Sequence, residues 1–331
     1  MKWYEKSGID CDVVLGTQVA FSRNLAGVPF VWRLDADGRQ QVTSRIADAI
    51  YRCINIHFEA ISCAQLNKKQ LTALLERRLI SPSVITDCPD ATILLSDDES
   101  VAITILGEDH LRIVLSFPGR ELEQAAKTAQ MLSDALDSQL NFAKLENIGY
   151  IGPELSKIGS NLEFTTLVHL PAMTKNGELS SFKYTAGKLG FGMSEMFSTF
   201  GIADFLAFSN ELRFGIEPIE AAKNLDGLTV QYATRERSLA EEKSVSKDVA
   251  DNIRSALSIA REANFLSTAE MLESFSWIGI GITAGRADVK PEKLNGLVFN
   301  AQPATLGTQS GAADFRERDA IRAQMVKSLF N

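Results

Sequence analysis

Glu108, Asp109 and His110 follow one another between two apolar alternations, and Arg112 stands two residues further on. Val101, Ile103 and Ile105 alternate before them and Leu111, Ile113 and Leu115 after them, the period-2 signature of a hairpin with one buried face. A hairpin tip needs a φ-permissive residue, a role the sequence offers to Gly107. It does not need two carboxylates, an imidazole and a guanidinium. Charge at such a tip ordinarily does no more than keep it solvated, and spacing alone leaves that alternative open. A second polar set lies near the C-terminus, where Arg318 and Arg322 are four apart on one helical face and Asp319 is three before Arg322. Two guanidinium forks suit a phosphate, and a carboxylate beside them suits a guanidinium. The alternative is an ion-paired, solvated helix face.

Both sets must be positioned by ordinary globular elements. The chain has 331 residues, 45% of them apolar and 23% charged, enough for two cores. Val42, Ile46, Ile50 and Ile54, then Leu71, Leu74 and Leu75, predict helices across 42–80, ended by Pro82. Leu122, Ala125, Ala129, Leu132 and Leu136 predict a helix over 121–140, and Phe164 to Leu170 reads as a strand. From Ile216 onward the character is helical, with a capping-box start at Ser267 and Glu270. Arg77 and Arg78 close a helix, where basic residues complement the helix dipole. Gly187, Gly190 and Gly192 match neither a P-loop nor a dinucleotide fingerprint and read as a flexible turn.

Cys11, Cys53, Cys63 and Cys88 show no metal-like spacing, which suits a reduced cytosolic chain and argues against zinc; no metal site is expected. The start, MKWYEKSGIDCD, lacks the apolar stretch of a secretory signal, and no apolar run is long enough to span a membrane, so a cytoplasmic location is expected. A net charge of -8 argues against a broad nucleic-acid footprint.

The segment from Ser96 through Arg112 resembles the NEEDHxR segment of the guanidino phosphotransferases, which comprise the phosphagen kinases and the bacterial protein-arginine kinases. The resemblance implies that Glu108 positions and deprotonates the guanidinium acceptor, and that His110 and Arg112 hold nucleotide. Residues 12–34 resemble the family's VLSSRIRLARNLxxxPF stretch, keeping Arg23, Asn24, Pro29 and Phe30 as scaffold. Thr17, Gln18, Val19 and Ala20 stand where the family has Ser-Arg-x-Arg, so both phosphate-binding arginines are replaced. The run Glu76 to Pro82, ERRLISP, resembles the protein-arginine kinases with Arg78 in place of a histidine near the nucleotide. Residues 150–171 keep Gly159 and His169-Leu170-Pro171. There Gly152, Pro153 and Glu154 replace the acceptor-polarising cysteine, and Glu163 replaces a phosphate-binding arginine. The RGxxGE loop is absent from 187–200, leaving Glu195 as its one candidate carboxylate. Between Lys183 and Arg213 there is no arginine, and Ala203 to Gly215 resembles the family's next strand, LFQVSNQVTLG, with Ser209-Asn210 in register. Arg318-Asp319-Ala320-Ile321-Arg322-Ala323 has the form of the RDxxRA phosphoarginine pocket, preceded by Gln302-Pro303-Ala304.

The resemblance implies an α+β fold with an antiparallel sheet flanked by helices over 1–215, then an α-helical dimerisation and phosphoarginine-binding domain over 216–331. It implies a catalytically impaired, pseudokinase-like homologue that binds phosphoarginine through Arg318, Asp319 and Arg322. Such a chain would act as a homodimeric scaffold or regulator in protein quality control, beside a zinc-finger activator or a Clp protease system. The alternative is an active kinase that uses Mg-ATP, with Gln18, Arg78 and Lys188 sharing the work of the lost arginines and Glu108 as catalytic carboxylate. A phosphagen kinase acting on free amino acids is disfavoured, because no separate N-terminal helical domain is evident.

Overall fold

The computed structural model describes residues 1–154, 158–211, 215–312 and 314–330. After a single 3-10 turn at Trp3–Glu5, the elements in chain order are β1 (Val14–Arg23), α1 (Ala36–Cys53), β2 (Phe58–Ser62), α2 (Lys68–Glu76), α3 (Pro82–Thr86) and β3 (Thr92–Ser96). Next come β4 (Val101–Ile105), β5 (Leu111–Pro118), α4 (Leu122–Leu140), the two-residue strands β6 (Lys144–Leu145) and β7 (Gly149–Tyr150), and β8 (Leu162–His169). Then follow α5 (Pro171–Lys175), α6 (Leu179–Lys188), β9 (Phe191–Phe197), β10 (Ile202–Asn210) and α7 (Pro218–Ser244). The chain closes with α8 (Lys247–Glu262), α9 (Thr268–Thr283), α10 (Pro291–Asn300), α11 (Pro303–Gln309) and α12 (Phe315–Lys327).

Eight strands form one antiparallel sheet in the order β2-β3-β4-β5-β1-β8-β10-β9. Period-2 alternation gives each central strand two destinations. Val19 and Phe21 of β1, Leu111, Ile113 and Leu115 of β5, and Leu162 and Phe164 of β8 all join one core with α1, α4 and α7. Their neighbours Gln18 and Ala20, Arg112 and Val114, and Glu163 and Thr165 therefore share the opposite face, where they line a single cavity. The hairpin stands in the expected register, with Ile105 opposite Leu111 and Ile103 opposite Ile113. Its tip differs: Leu106, not Gly107, takes the left-handed conformation, at φ 58°. Leu106 N–H donates to the His110 carbonyl at 3.0 Å, which offsets part of the cost of that backbone.

Two sequence expectations need correction. The helical run across 42–80 is interrupted by β2, a five-residue edge strand paired with β3. Tertiary pairing overrides helical periodicity there, since Ile61 only half-packs against the α2–β3 core. The glycine-containing stretch 187–200 is a turn only at Gly190, at φ 81°; Phe191–Phe197 is the edge strand β9, on which Gly192 lies close to Ser209 Oγ of β10. The strand expected over Ala203 to Gly215 is β10, which runs from Ile202 to Asn210; Leu212, Arg213 and Phe214 lie outside the described residues, as do Leu155–Lys157 of the 150–171 segment.

The C-terminal helices dock on the sheet side through Tyr4 and Glu76, and Glu99 holds Tyr4 in place. Tyr4 stacks on Phe299 of α10 with ring centroids 4.8 Å apart. Glu99, between β3 and β4, accepts from Tyr4 Oη at 3.3 Å and Arg77 Nε at 3.1 Å and pairs with Lys2 at 2.9 Å. Glu76, the last residue of α2, accepts from the N–H groups of Ala304 (2.9 Å) and Thr305 (2.6 Å) and from Thr305 Oγ1 (2.8 Å), satisfying the start of α11. The expected capping box opens α9: Ser267 N–H donates to Glu270 and Glu270 N–H to Ser267 Oγ.

Candidate active site

The cavity on the open sheet face has a volume of about 280 Å3 and is lined by Gln18, Ala20, Arg78, Ser81, Arg112, Glu163 and Thr165, with Leu75, Ile80, Pro82 and Val114 beneath. Arg78 reaches it from the turn after α2 with a left-handed backbone, φ 60°. Arg78 Nε donates to Gln18 Oε1 at 2.9 Å, and Gln18 Nε2 donates to Ser116 Oγ at 3.0 Å. Burial lowers the Arg78 pKa from its usual value, a shift opposed by the Glu163 carboxylate and reinforced by Arg112. Glu163 and Arg112 form an ion pair at 3.5 Å across the strand that carries Ala20, and both remain about a quarter to a third exposed, 30% and 27%. Arg112 Nε is buried with no hydrogen-bond partner among the described residues. Gln18, Arg78 and Arg112 are thus brought together, with Glu163 in their midst. Lys188 is not: it ends α6 with its Nζ over the Tyr184 ring, 4.4 Å from the centroid, outside the cavity lining. Glu195 is on β9, opposite Leu206.

His110 occupies a different place from the one the resemblance implies. It is fully buried; its Nδ1 accepts from Leu25 N–H at 3.0 Å and its Nε2–H donates to the Pro29 carbonyl at 2.8 Å, leaving no ring edge for a nucleotide. Asn24 completes the clamp, accepting from His110 N–H at 3.0 Å and donating to Asp109 Oδ1 at 2.7 Å. Both Asn24 and His110 are therefore scaffold, as are Arg23, whose guanidinium lies 3.6 Å from the Tyr150 ring centroid, and Pro29. Desolvation lowers the His110 pKa against the opposing pull of the Pro29 carbonyl and Asp109, so folding favours the neutral ring. The sign follows: below the unfolded value of 6.5, the unfolded chain gains a proton that the folded chain refuses, and stability is lost as pH falls. His110→Gln preserves an acceptor and a donor without titrating. Between pH 6.5 and 5.5 its unfolding free energy is expected to fall less steeply than the wild type's, by up to about 1.4 kcal/mol per pH unit. Denaturant titrations across that range check this, and equal slopes would refute it.

Glu108 faces away from that clamp into a second cavity of about 510 Å3. Among the described residues its walls carry Asp87, Asp90, Glu108 and Glu154 with one guanidinium, Arg39, which is ion-paired to Asp90. Burial, reinforced by Glu108 and Asp87, pushes the Cys88 thiol up to about 11, so this cysteine is no thiolate at neutral pH. Pro153 and Glu154, from the segment that replaces the family's cysteine, line the same cavity. An acidic, partly enclosed space suits a guanidinium. Sequence reasoning missed Asp87, Asp90 and Trp32 here, because they come from two loops with no shared periodicity.

The expected convergence of Arg318 and Arg322 does not occur. Arg322 is 1% exposed and turned inward, its Nε donating to the Ala301 carbonyl at 2.9 Å and its Nη1 to the Leu266 carbonyl at 2.8 Å and Asp319 Oδ1 at 2.5 Å. Arg318 is half-buried and lies against Gly307 of α11 beside Lys69, whose Nζ donates to the Gly307 carbonyl at 2.9 Å. All three residues are on α12, but Arg322 ties that helix to its neighbours while Arg318 and Asp319 stay accessible.

The sequence matches the ATP:guanido phosphotransferase C-terminal catalytic domain over residues 41–239 and the protein-arginine kinase McsB C-terminal domain over residues 246–331. A protein-arginine kinase of Halothermothrix orenii is 30% identical over 99% of this chain and 96% of the relative. The chain belongs to the protein-arginine kinase family of ATP:guanido phosphotransferases. Another protein-arginine kinase, from Caldanaerobacter subterraneus subsp. tengcongensis, is 28% identical over 97% of this chain and 98% of its own length. Among solved structures, lombricine kinase superposes with a TM-score of 0.61 at 17% identity, covering 73% of this chain and 70% of its own, which shows the shared phosphagen kinase fold. The guanido phosphotransferase match runs into α7, which packs against α4, β8 and β10 on the helical face of the sheet. Among the described residues of this protein-arginine kinase homologue, no helix is long and apolar enough to cross a membrane and no group of His, Cys, Asp and Glu is arranged to hold a metal ion. All four cysteines are free thiols.

Proposed function

We propose that this chain is a protein-arginine kinase homologue that retains arginine recognition and has lost most of its phosphoryl transfer, serving as a phosphoarginine-binding scaffold or regulator in protein quality control. The observation that carries this reading is the Glu163–Arg112 ion pair inside the sheet-face cavity. Phosphoryl transfer to a guanidino nitrogen requires the phosphates to be neutralised and the acceptor aligned. Among the described residues two guanidinium groups line the cavity, one of them is spent on a carboxylate, and Gln18 and Ala20 stand where the family has arginines. Those residues fit a triphosphate poorly. Removing one preorganised charge donor costs about 10²–10³ in rate, and several losses together leave little turnover even when they are not additive.

The acceptor side is better kept: Glu108 in its acidic cavity can orient an arginine side chain and take its proton. For phosphoarginine, the accessible Arg318 meets the phosphate and Asp319 the guanidinium, with Arg322 holding Asp319 from beneath. A homodimer, and pairing with a zinc-finger activator or a Clp protease system in the cytoplasm, belong to the same reading. The deciding experiment is calorimetric titration of the full chain with Mg-ATP and, separately, with phosphoarginine. Binding of phosphoarginine without ATP is expected; ATP binding at cellular concentrations would overturn the reading.

The second reading, an active kinase, is favoured by one observation: Arg78 and Arg112 line the same cavity, and Arg112 Nε has a donor to spare. It predicts phosphoarginine formation on a protein substrate that Glu108→Ala abolishes.

A further inference from the structure

Trp32 stands at the mouth of the Glu108 cavity with 59% of its surface exposed. Leaving an indole this exposed forgoes apolar burial, yet the ring is not loose. Phe30 backs it in a stacked arrangement with centroids 5.0 Å apart and planes 16° from parallel. The loop that presents it is fixed to the same turn that presents Glu108. His110 takes the Leu25 N–H on one ring nitrogen and donates to the Pro29 carbonyl with the other, and Asp109, next to Glu108, accepts from Asn24. One hydrogen-bonded network therefore holds an aromatic wall and a carboxylate wall of one cavity in fixed relation. Among the described lining residues the one cation, Arg39, is neutralised by Asp90 and also bonds the Leu34 carbonyl, so these walls are net acidic.

We propose that Trp32 is a specificity-determining residue for the acceptor: its indole is the shelf on which the guanidinium plane of a protein arginine stacks while Glu108 accepts from the guanidinium edge. This rests on the acceptor role given above to Glu108. A planar, weakly hydrated guanidinium stacks on an aromatic face and offers in-plane donors to a carboxylate at the same time. An ammonium has no plane to stack and is a compact, strongly hydrated centre, so it gains less from the same two walls when it leaves water. The shelf therefore selects arginine over lysine, beyond the attraction that acidic walls exert on any cation.

The test is calorimetric titration of the full chain with an unphosphorylated arginine-bearing peptide and with the same peptide carrying lysine instead. In the wild type the arginine peptide binds more tightly. Trp32→Ala is expected to weaken arginine binding about tenfold, with Trp32→Phe recovering most of it, and to leave lysine binding nearly unchanged. Because the ring is mostly outside the core, Trp32→Ala should melt with the wild type, which separates lost binding from lost folding. If Glu108→Gln weakens arginine binding and Trp32→Ala does not, the acceptor site stands and the shelf is refuted. If the wild-type chain fails to prefer the arginine peptide, or binds neither, the shelf is refuted; binding neither refutes the acceptor site as well.

Discussion

Glu163→Gln should bind Mg-ATP about tenfold more tightly than the wild-type chain, and Glu163→Arg about a hundredfold. The carboxylate lies 3.5 Å from Arg112 in a cavity that also holds Arg78, and it is the acidic residue of that lining. An anionic ligand entering there must displace Glu163 from Arg112 and then sit beside its charge, so it meets both a lost partner and like-charge repulsion. Neutralising the residue removes the repulsion and frees one guanidinium fork. Reversing its charge adds another cation, roughly doubling the change in free energy, and each factor of ten corresponds to about 1.4 kcal/mol. The pair is partly exposed, so the gain should shrink as salt rises. The fold should lose little in Glu163→Gln, because a partly exposed ion pair contributes only about 1 kcal/mol, and more in Glu163→Arg, which sets a third guanidinium beside Arg78 and Arg112. Calorimetry of the variants at low and high salt measures all of this. Unchanged affinity in Glu163→Gln would mean that the carboxylate does not guard the cavity, and the main support for impaired phosphoryl transfer would go with it.

Arg322→Ala should destabilise the chain by roughly 3 kcal/mol, whereas Arg318→Ala should cost less than about 1 kcal/mol. The Arg322 guanidinium joins three separate pieces of the C-terminal region: the carbonyl of Ala301 between α10 and α11, that of Leu266 before α9, and Asp319 on its own helix. Ala301 and Leu266 are buried, so truncation strands their carbonyl oxygens away from water and opens a cavity where the side chain lay. Arg318 anchors no such junction. Denaturant unfolding compares the two variants directly, and wild-type stability in Arg322→Ala would refute the anchoring role. The contrast matters for the binding reading. Weakened phosphoarginine affinity in Arg322→Ala follows from either lost contact or lost structure, while in Arg318→Ala it reports the contact.

Local rules determined a good part of this protein before any packing was known. The hairpin at 101–115 and the helix at 122–140 follow from period 2 and period 3.6, and the same alternation dictates that Gln18, Arg112 and Glu163 leave the helical core side of the sheet. Motifs that keep their spacing, from Glu108 to Arg112 and from Arg318 to Arg322, carried the family. What spacing could not decide is which way a polar side chain turns once elements meet. His110 and Arg322 are of the right type at the right place in their motifs, yet both are folded inward: buried backbone groups at Leu25, Ala301 and Leu266 need partners, and the Pro29 carbonyl takes the other edge of the His110 ring. Trp32, Asp87 and Asp90 reach Glu108 from loops whose approach is set by long-range strand pairing and the His110 clamp, so no local pattern marks them. The edge strands β2 and β9 were hidden for a related reason: a short strand with one neighbour takes its conformation from that neighbour, and its own sequence is left weakly patterned.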